Sequence, residues 1–300
     1  MWFRNLLPYR FTSDWKMSPG TLEKRLAERP LRHCTGLTAQ TQGWVSPRDD
    51  EQLVFSQGRQ ALFAYGTEKK LLPASVVKDA VKEKAAKQEA RLGLKPGRKQ
   101  LREMKEQVTA ELLPKAFGRR QMTRAWIDGE NGFLIVDAGN LKRGDELTSF
   151  LRETLGELPL EPLSTAKSPQ ACMTSWLATG KVPGAFELDQ DAFLKGGDTD
   201  PATIRFAKHG LEGDDVRGHV KDGKRVQQLG LTWHDRIRCV LVDPGIVKRV
   251  RFELVEEQRE AAEEEGGSAD ERFDADFTLM CGELSKLMAD LVKALGGESK

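Results

Sequence analysis

The sequence predicts an α+β protein: an antiparallel-sheet body, an inserted helical hairpin protruding from it, and a C-terminal amphipathic helix. Three observations predict this. From 225 to 254 apolar and polar residues largely alternate, as in CVLVD and IVKRVRFEL, with Val250, Phe252 and Leu254 on one face and Arg249, Arg251 and Glu253 on the other. From 74 to 116 the apolar residues recur every three or four positions instead, which is a helical period. Near the end, Phe277, Met280, Leu284, Leu287, Met288, Leu291 and Leu295 form one stripe of a helix stopped by Gly296-Gly297.

The elements follow in order. WFRNLLPYRF opens the chain as an extended apolar segment, and Ser18 caps a short helix with Pro19 in its first turn and Leu22 and Leu26 four apart. QLVFS and ALFAYG flank Gln57-Gly58 and predict a hairpin of strands. Val77, Val81 and Ala85, then Leu101, Met104, Val108 and Leu112, mark two helices broken by Gly93-Leu94-Lys95-Pro96-Gly97. Their apolar stripe is narrow, so the pair should project from the body. AWID, a Gly-Glu-Asn-Gly turn and FLIVD restore strand chemistry at 125 to 137. Helices are expected from Asp145 to Leu155, from the Ser168 cap to Gly180, and over 214 to 220. Asp243-Pro244-Gly245 supplies a turn in the strand-rich 225 to 254 region.

Composition sets the bounds. The 300 residues suffice for one large domain or two ordinary ones. Cys34, Cys172, Cys239 and Cys281 form no C-x-x-C pair and are too scattered for a disulfide framework, so reduced thiols in a cytoplasmic protein are expected. There is no apolar run of signal-peptide or membrane-helix length.

The formal charge of +1 conceals segregation. Residues 68 to 124 hold sixteen Lys and Arg against seven Asp and Glu, an excess of nine positive charges. Residues 253 to 300 hold five against fourteen, an excess of nine negative charges, and AAEEEGGSADE at 261 to 271 reads as an exposed acidic loop. The basic hairpin reads either as a solvated helix pair laced by salt bridges or as a phosphate-binding arm. Arg119 and Arg120 beyond it, and a second basic set of Arg236, Arg238, Lys248, Arg249 and Arg251, favour nucleic acid. No recognition helix, RNA-binding signature or zinc finger is visible, so any such binding would rest on phosphates and ignore sequence.

Catalytic signatures are absent. GLKPGRK is one residue short of a P-loop, has no Ser or Thr after its Lys, and lies between helices. None of His33, His209, His219 and His234 stands at zinc spacing with a second ligand, so no metal and no cofactor are expected. His209 beside Lys208 in RFAKHG could contact phosphate. Asp274 and Asp276 could hold Mg²⁺ for a nuclease or phosphodiesterase, but the simpler expectation is that both precede the terminal helix and favour its dipole. Phe117, in LPKAFGRR, either packs on the body or makes a protein contact at the hairpin's tip.

Several segments together resemble one family. WFRNLLPYRF, GWVSP at 43 to 47, KKLLPASVVKDAV at 69 to 81, LLPKAFGRR at 112 to 120, WIDGENGFLIVD at 126 to 137 and RFDADFTLMCGEL at 272 to 284 resemble the bacterial recombination-associated RdgC family over essentially the whole chain. The resemblance implies a nucleoid-associated, sequence-nonspecific binder of duplex DNA with no catalytic residues. It implies a homodimer closed into a ring around DNA, which limits RecA-mediated strand exchange and acts in recombination and replication-fork maintenance. Phe117 matches the aromatic of the family's tip interface, and Lys208 a DNA-contact lysine. His209 stands where the family can carry Gln, so that contact could depend on pH. Binding of single strands, and direct contact with RecA, stay open.

The expected organisation is a discontinuous body over 1–73 and 117–254, the tip over 74–116, and an acidic loop with its helix over 255–300. Expected DNA contacts are Lys208, His209, Arg236, Arg238, Arg249, Arg119 and Arg120, with Phe117 in the dimer interface. The alternatives are a Mg-dependent nuclease using Asp274 and Asp276, and a protein-only scaffold.

Overall fold

The computed structural model describes residues 2–48, 50–197, 201–253 and 268–299. They divide into two compact units. The larger comprises Met1–Ser18, Phe55–Leu62 and Ala125–Lys300, and the smaller Pro19–Val54 and Phe63–Arg124. Of the expected acidic loop at 261–271, residues 261–267 lie outside the described residues, as does Leu254, and 269–271 form the first turn of a helix rather than a loop.

The larger unit is an antiparallel sheet covered by helices. Strand β1 (Asn5–Phe11) lies between β6 (Phe133–Val136) and β12 (Ile246–Phe252), and the order continues through β11 (Ile237–Val242), β10 (Arg225–Trp233) and β8 (Phe186–Lys195) to β9 (Thr203–Phe206). β7 (Leu160–Pro162) pairs with the far end of β1. Helices α4 (Leu141–Leu155), α5 (Pro169–Thr179), α6 (Asp214–Lys221) and α7 (Ala269–Ala294) complete the unit. One face of the sheet is core. Leu229 and Leu231 of β10, Ile237, Cys239 and Leu241 of β11, and Phe252 of β12 pack in one cluster with Met173, Trp176 and Leu177 of α5 and the apolar stripe of α7. Burying whole side chains of this size contributes about 1.5–3 kcal/mol each.

Two helix starts come earlier than the apolar period implies, and each has a cap as its cause. Asn140 Oδ1 accepts from Arg143 N at 3.0 Å, so α4 begins at Leu141. Ser268 Oγ accepts from Glu271 N at 3.2 Å while Glu271 reaches back to Ser268 N at 3.0 Å. This reciprocal box starts α7 at Ala269, so Asp274 and Asp276 lie within the helix rather than before it. In WIDGENG, the buried Asp128 takes Glu130 N and Asn131 N on one oxygen and Ser285 Oγ on the other, which makes that turn an anchor for α7.

The smaller unit holds α1 (Pro19–Ala27), β2 (Gln40–Val45), most of β4 (Gln60–Lys70), α2 (Ala74–Leu92), α3 (Arg98–Leu112) and the first part of β5 (Gly118–Asp128). β3 (Val54–Gln57) leads into β4 through Gly58, as the hairpin signal implies. β2 pairs with β4 from Gln40↔Lys69 to Val45↔Ala64. Gly43 is obligatory there, because a Cβ would fall 2.3 Å from Leu31 N. Helices α2 and α3 are joined by five residues. Gly93 adopts the left-handed conformation that stops α2, and Lys84 Nζ meets Glu111 Oε1 at 2.8 Å between the helices. Only Val77 of α2 and Met104 and Val108 of α3 are buried, so the apolar stripe is even narrower than its spacing suggests. No described helix is long and apolar enough to cross a membrane.

Candidate nucleic-acid interface

In an antiparallel sheet, residues directly opposite each other share a face. Because Ile237, Cys239 and Leu241 face the core, Arg238 and Val240 face away from it. The register then sets Arg238 against Arg251 and Val240 against Lys248. At the other end of β10, Val226 and Leu194 are a core pair, so the next pair, Arg225 and Lys195, lies on the outer face, and Arg205 of β9 stands opposite Phe193. One sheet face therefore carries Lys195, Arg205, Arg225, Arg238, Lys248 and Arg251. Two of its cross-strand pairs are cation against cation, an arrangement that destabilises the free sheet by roughly 0.2–1 kcal/mol per pair. Among the described residues, Lys195, Arg205, Arg225, Lys248 and Arg251 have no carboxylate partner. Arg238 Nε has Glu253 at 3.1 Å.

At the edge of this face one carboxylate gathers two of the residues singled out by sequence, and a third lies beside them. Asp191 Oδ1 accepts from Lys208 N at 3.2 Å, and Asp191 Oδ2 meets the Arg249 guanidinium at 2.8 Å. His209 N donates to Gln190 O at 3.0 Å, and its ring lies 5.4 Å from Phe206, with Nε2 4.0 Å from Asp215. Arg249 and Phe206 help line a shallow recess with Asp191, Arg205 and Gln228. Arg236 is placed differently. It closes the turn between β10 and β11, and its guanidinium lies 3.7 Å from Glu283 on α7, the helix that covers the core face.

The remaining sequence-selected residues belong to the smaller unit. Phe117 is 85% exposed, yet its backbone is fixed, because Phe117 O accepts from Leu71 N at 2.8 Å and Ala116 O accepts from Lys70 Nζ at 3.1 Å. Arg119 is exposed on β5. Arg120 turns onto Glu68, with Nε 2.7 Å from Oε2. Glu68 is 5% exposed and also accepts from Cys34 N at 2.9 Å, while His33 Nδ1 stands 3.1 Å away. The Arg120 hydrogen bond, then the Cys34 amide, hold its carboxyl well down, at about 2. Arg120 is thus engaged in fastening β4, β5 and the 33–34 segment.

Lys195, Arg205, Arg225 and Asp191 were not singled out by sequence reasoning. Their signal is a register, which the chain's linear pattern does not carry. Among the described residues, no group of three or more His, Cys, Asp or Glu side chains is arranged to hold a metal ion.

Comparison with known proteins places the chain in a family. A family model described as "Putative exonuclease, RdgC" matches residues 1–298. A protein of Cupriavidus pinatubonensis is 48% identical over the full length of both chains, and one of Cupriavidus necator is 46% identical over the same extent. A protein of Janthinobacterium sp. is 45% identical over 99% of each chain. All three are named "Recombination-associated protein RdgC". With agreement of this depth from end to end, the chain belongs to the RdgC family of recombination-associated proteins.

Proposed function

We propose that the protein binds duplex DNA without sequence preference through the outer face of β8–β12, and does so by occupancy rather than catalysis. The observation that carries the reading is the two pairs of opposed cations, Arg238 with Arg251 and Arg225 with Lys195. Like charges held opposite one another are unfavourable in the free protein and are relieved by a polyanion, whose phosphates release counterions as they are neutralised. Lys208, His209 and Arg249 extend the same face at its edge. The protein would act in the cytoplasm on the nucleoid, as a homodimer closed around DNA that limits access of RecA during recombination and fork maintenance. A closed two-fold pair needs self-complementary patches on each copy. Phe117, a large exposed aromatic on a fixed backbone, suits one of them, with the α2–α3 pair as the protruding tip.

The test is a titration of labelled duplex over a salt series. Neutralising about six phosphates predicts a log–log slope near −5. A slope near zero would rule the reading out. Closure is tested separately with Phe117→Ser on circular and linear duplex of one sequence. Selective loss of stable retention on circles supports encirclement, and equal retention of both forms by both proteins removes it.

The description of the family as an exonuclease favours one other reading, for which Asp274 and Asp276 on α7 are the acids to test. Duplex that stays full length with Mg²⁺ or Mn²⁺ supports occupancy. Nucleotide release that is lost in the Asp274→Asn, Asp276→Asn variant would support the enzyme.

A further inference from the structure

Four non-glycine residues among those described have left-handed backbone: Lys208, His234, Asp235 and Arg249. A side chain with a Cβ disfavours that conformation, so each case asks for a cause. His234 and Asp235 are the central residues of the turn in which Arg236 N donates to Trp233 O, a turn that requires positive φ at both. Lys208 and Arg249 have no such excuse. Arg249 sits in a bulge: Arg238 opposes Arg251 and Val240 opposes Lys248, so Arg249 and Val250 together face Cys239. Bulges with a left-handed residue ordinarily place glycine there. Lys208 lies in the loop after β9, with φ of 53°, the same value as Arg249.

The two strained residues end on one carboxylate. The bulge turns Arg249 away from its ladder and across the sheet to Asp191 of β8, and the second oxygen of Asp191 takes the Lys208 amide. We propose that Asp191 is a positioning residue for a phosphodiester, fixing the Arg249 guanidinium and the Lys208 loop so that both cations address one stretch of DNA backbone. The inference rests on the DNA-binding reading above and deepens it. A guanidinium held by one of its N–H groups keeps its other N–H groups for a phosphate oxygen. Holding it beforehand removes part of the ordering cost of binding. The Arg249 and Asp191 side chains remain 49% and 34% exposed, so the pair is within reach of a ligand.

Charge and positioning predict opposite signs, which makes the proposal sharp. A carboxylate beside a phosphate site repels the ligand, so on charge alone its removal tightens binding. If Asp191 positions the cations, its removal weakens binding despite the gain of one positive charge. The experiment measures binding of a fluorescein-labelled mixed-sequence duplex by anisotropy, for the full chain and Asp191→Asn. Affinity should fall about fivefold, the scale of one side chain's ordering cost. In a Lys208→Ala, Arg249→Ala background the same substitution should no longer weaken binding, a readout that a merely structural role would not give. Should Asp191→Asn fail to fold, Asp191→Glu keeps the charge but displaces it by one methylene, and should also weaken binding. An Asp191→Asn protein that binds as tightly as the parent, or tighter, overturns the proposal, as does an effect that persists unchanged in the double-alanine background. If only Asp191→Glu folds, parental affinity overturns it too. A flat titration of the parent chain removes the DNA-binding reading itself and this inference with it, so the two failures are distinguishable.

Discussion

Arg120 and Arg249 both rest on a carboxylate, yet the two pairs are built for different ends. Glu68 is almost wholly buried, accepts from the Cys34 amide as well as from Arg120, and has its pKa pulled down to about 2 by those partners. Asp191 keeps a third of its side chain exposed, and the arginine it holds stands on a bulge with left-handed backbone. The first arrangement spends an arginine on joining strands. The second spends backbone strain on presenting one. Charge in the sequence is the same in both places, so the difference lies in burial and in what else the carboxylate binds.

The largest expected effect separates the pairs by function. Lys208→Ala with Arg249→Ala should weaken duplex binding about tenfold or more at moderate salt and reduce the salt slope by about two, one for each phosphate contact. Arg120→Ala should leave affinity within about twofold by the same measure, because its guanidinium is engaged by Glu68. Its effect should appear in a thermal melt instead, as a fall in Tm greater than for any single variant of the outer sheet face, because Glu68 is left buried beside its amide without its cation.

The pH dependence of that pair has a defined sign. The folded carboxyl titrates at about 2 against an ordinary 4.5, so its contribution is fully present above the ordinary value and is lost as pH falls from about 4.5 toward 2. Tm measured from pH 6 down to about 3 should therefore decline less steeply in Glu68→Gln than in the parent. A parallel decline in the two proteins would count against this role of Glu68.

Arg249→Gly sharpens the other side of the comparison. Glycine accepts positive φ without strain, so stability should be unchanged or rise by up to about 1 kcal/mol in a denaturant titration, while DNA affinity falls. Loss of stability would mean that the ion pair with Asp191 outweighs the strain. The smallest effect on folding belongs to Phe117→Ser, whose side chain is exposed and should alter monomer stability by no more than about 0.5 kcal/mol, with any change confined to association measured by light scattering.

Legibility in the sequence followed regularity. The alternation of Val250, Arg251 and Phe252 was enough to reveal a buried and an exposed face, although β11 is exposed only at Arg238 and β12 carries a bulge, and the apolar stripe of α7 is unambiguous. The Ser168 cap and Gly180 bracket α5 as their chemistry implies. β8 keeps its core residues an even number apart, at Phe186, Leu188, Ala192 and Leu194, but the polar Gln190 interrupts that run, and the slips in its pairing shift the phase of β10, whose core residues are Val226, Leu229 and Leu231. Lys195 and Arg225 carry no signal in the linear pattern, yet the register sets them face to face. Lys208 came from the family resemblance, and Arg249 from alternation, but nothing in either segment points to Asp191. That link spans 17 residues to one partner and 58 to the other, and exists only once the sheet is folded.

The central claim is that the outer face of the larger unit, and not the charge of the smaller one, holds DNA. The most direct measurement compares Lys195→Gln, Arg225→Gln, Arg238→Gln, Arg251→Gln with Arg119→Gln, Arg120→Gln in one salt series on a mixed-sequence duplex. The account predicts a loss of about thirtyfold or more and a slope shallower by about three to four for the first protein, and affinity within about twofold of the parent for the second. The reverse order, with the first protein binding like the parent and the second losing its affinity, would contradict it.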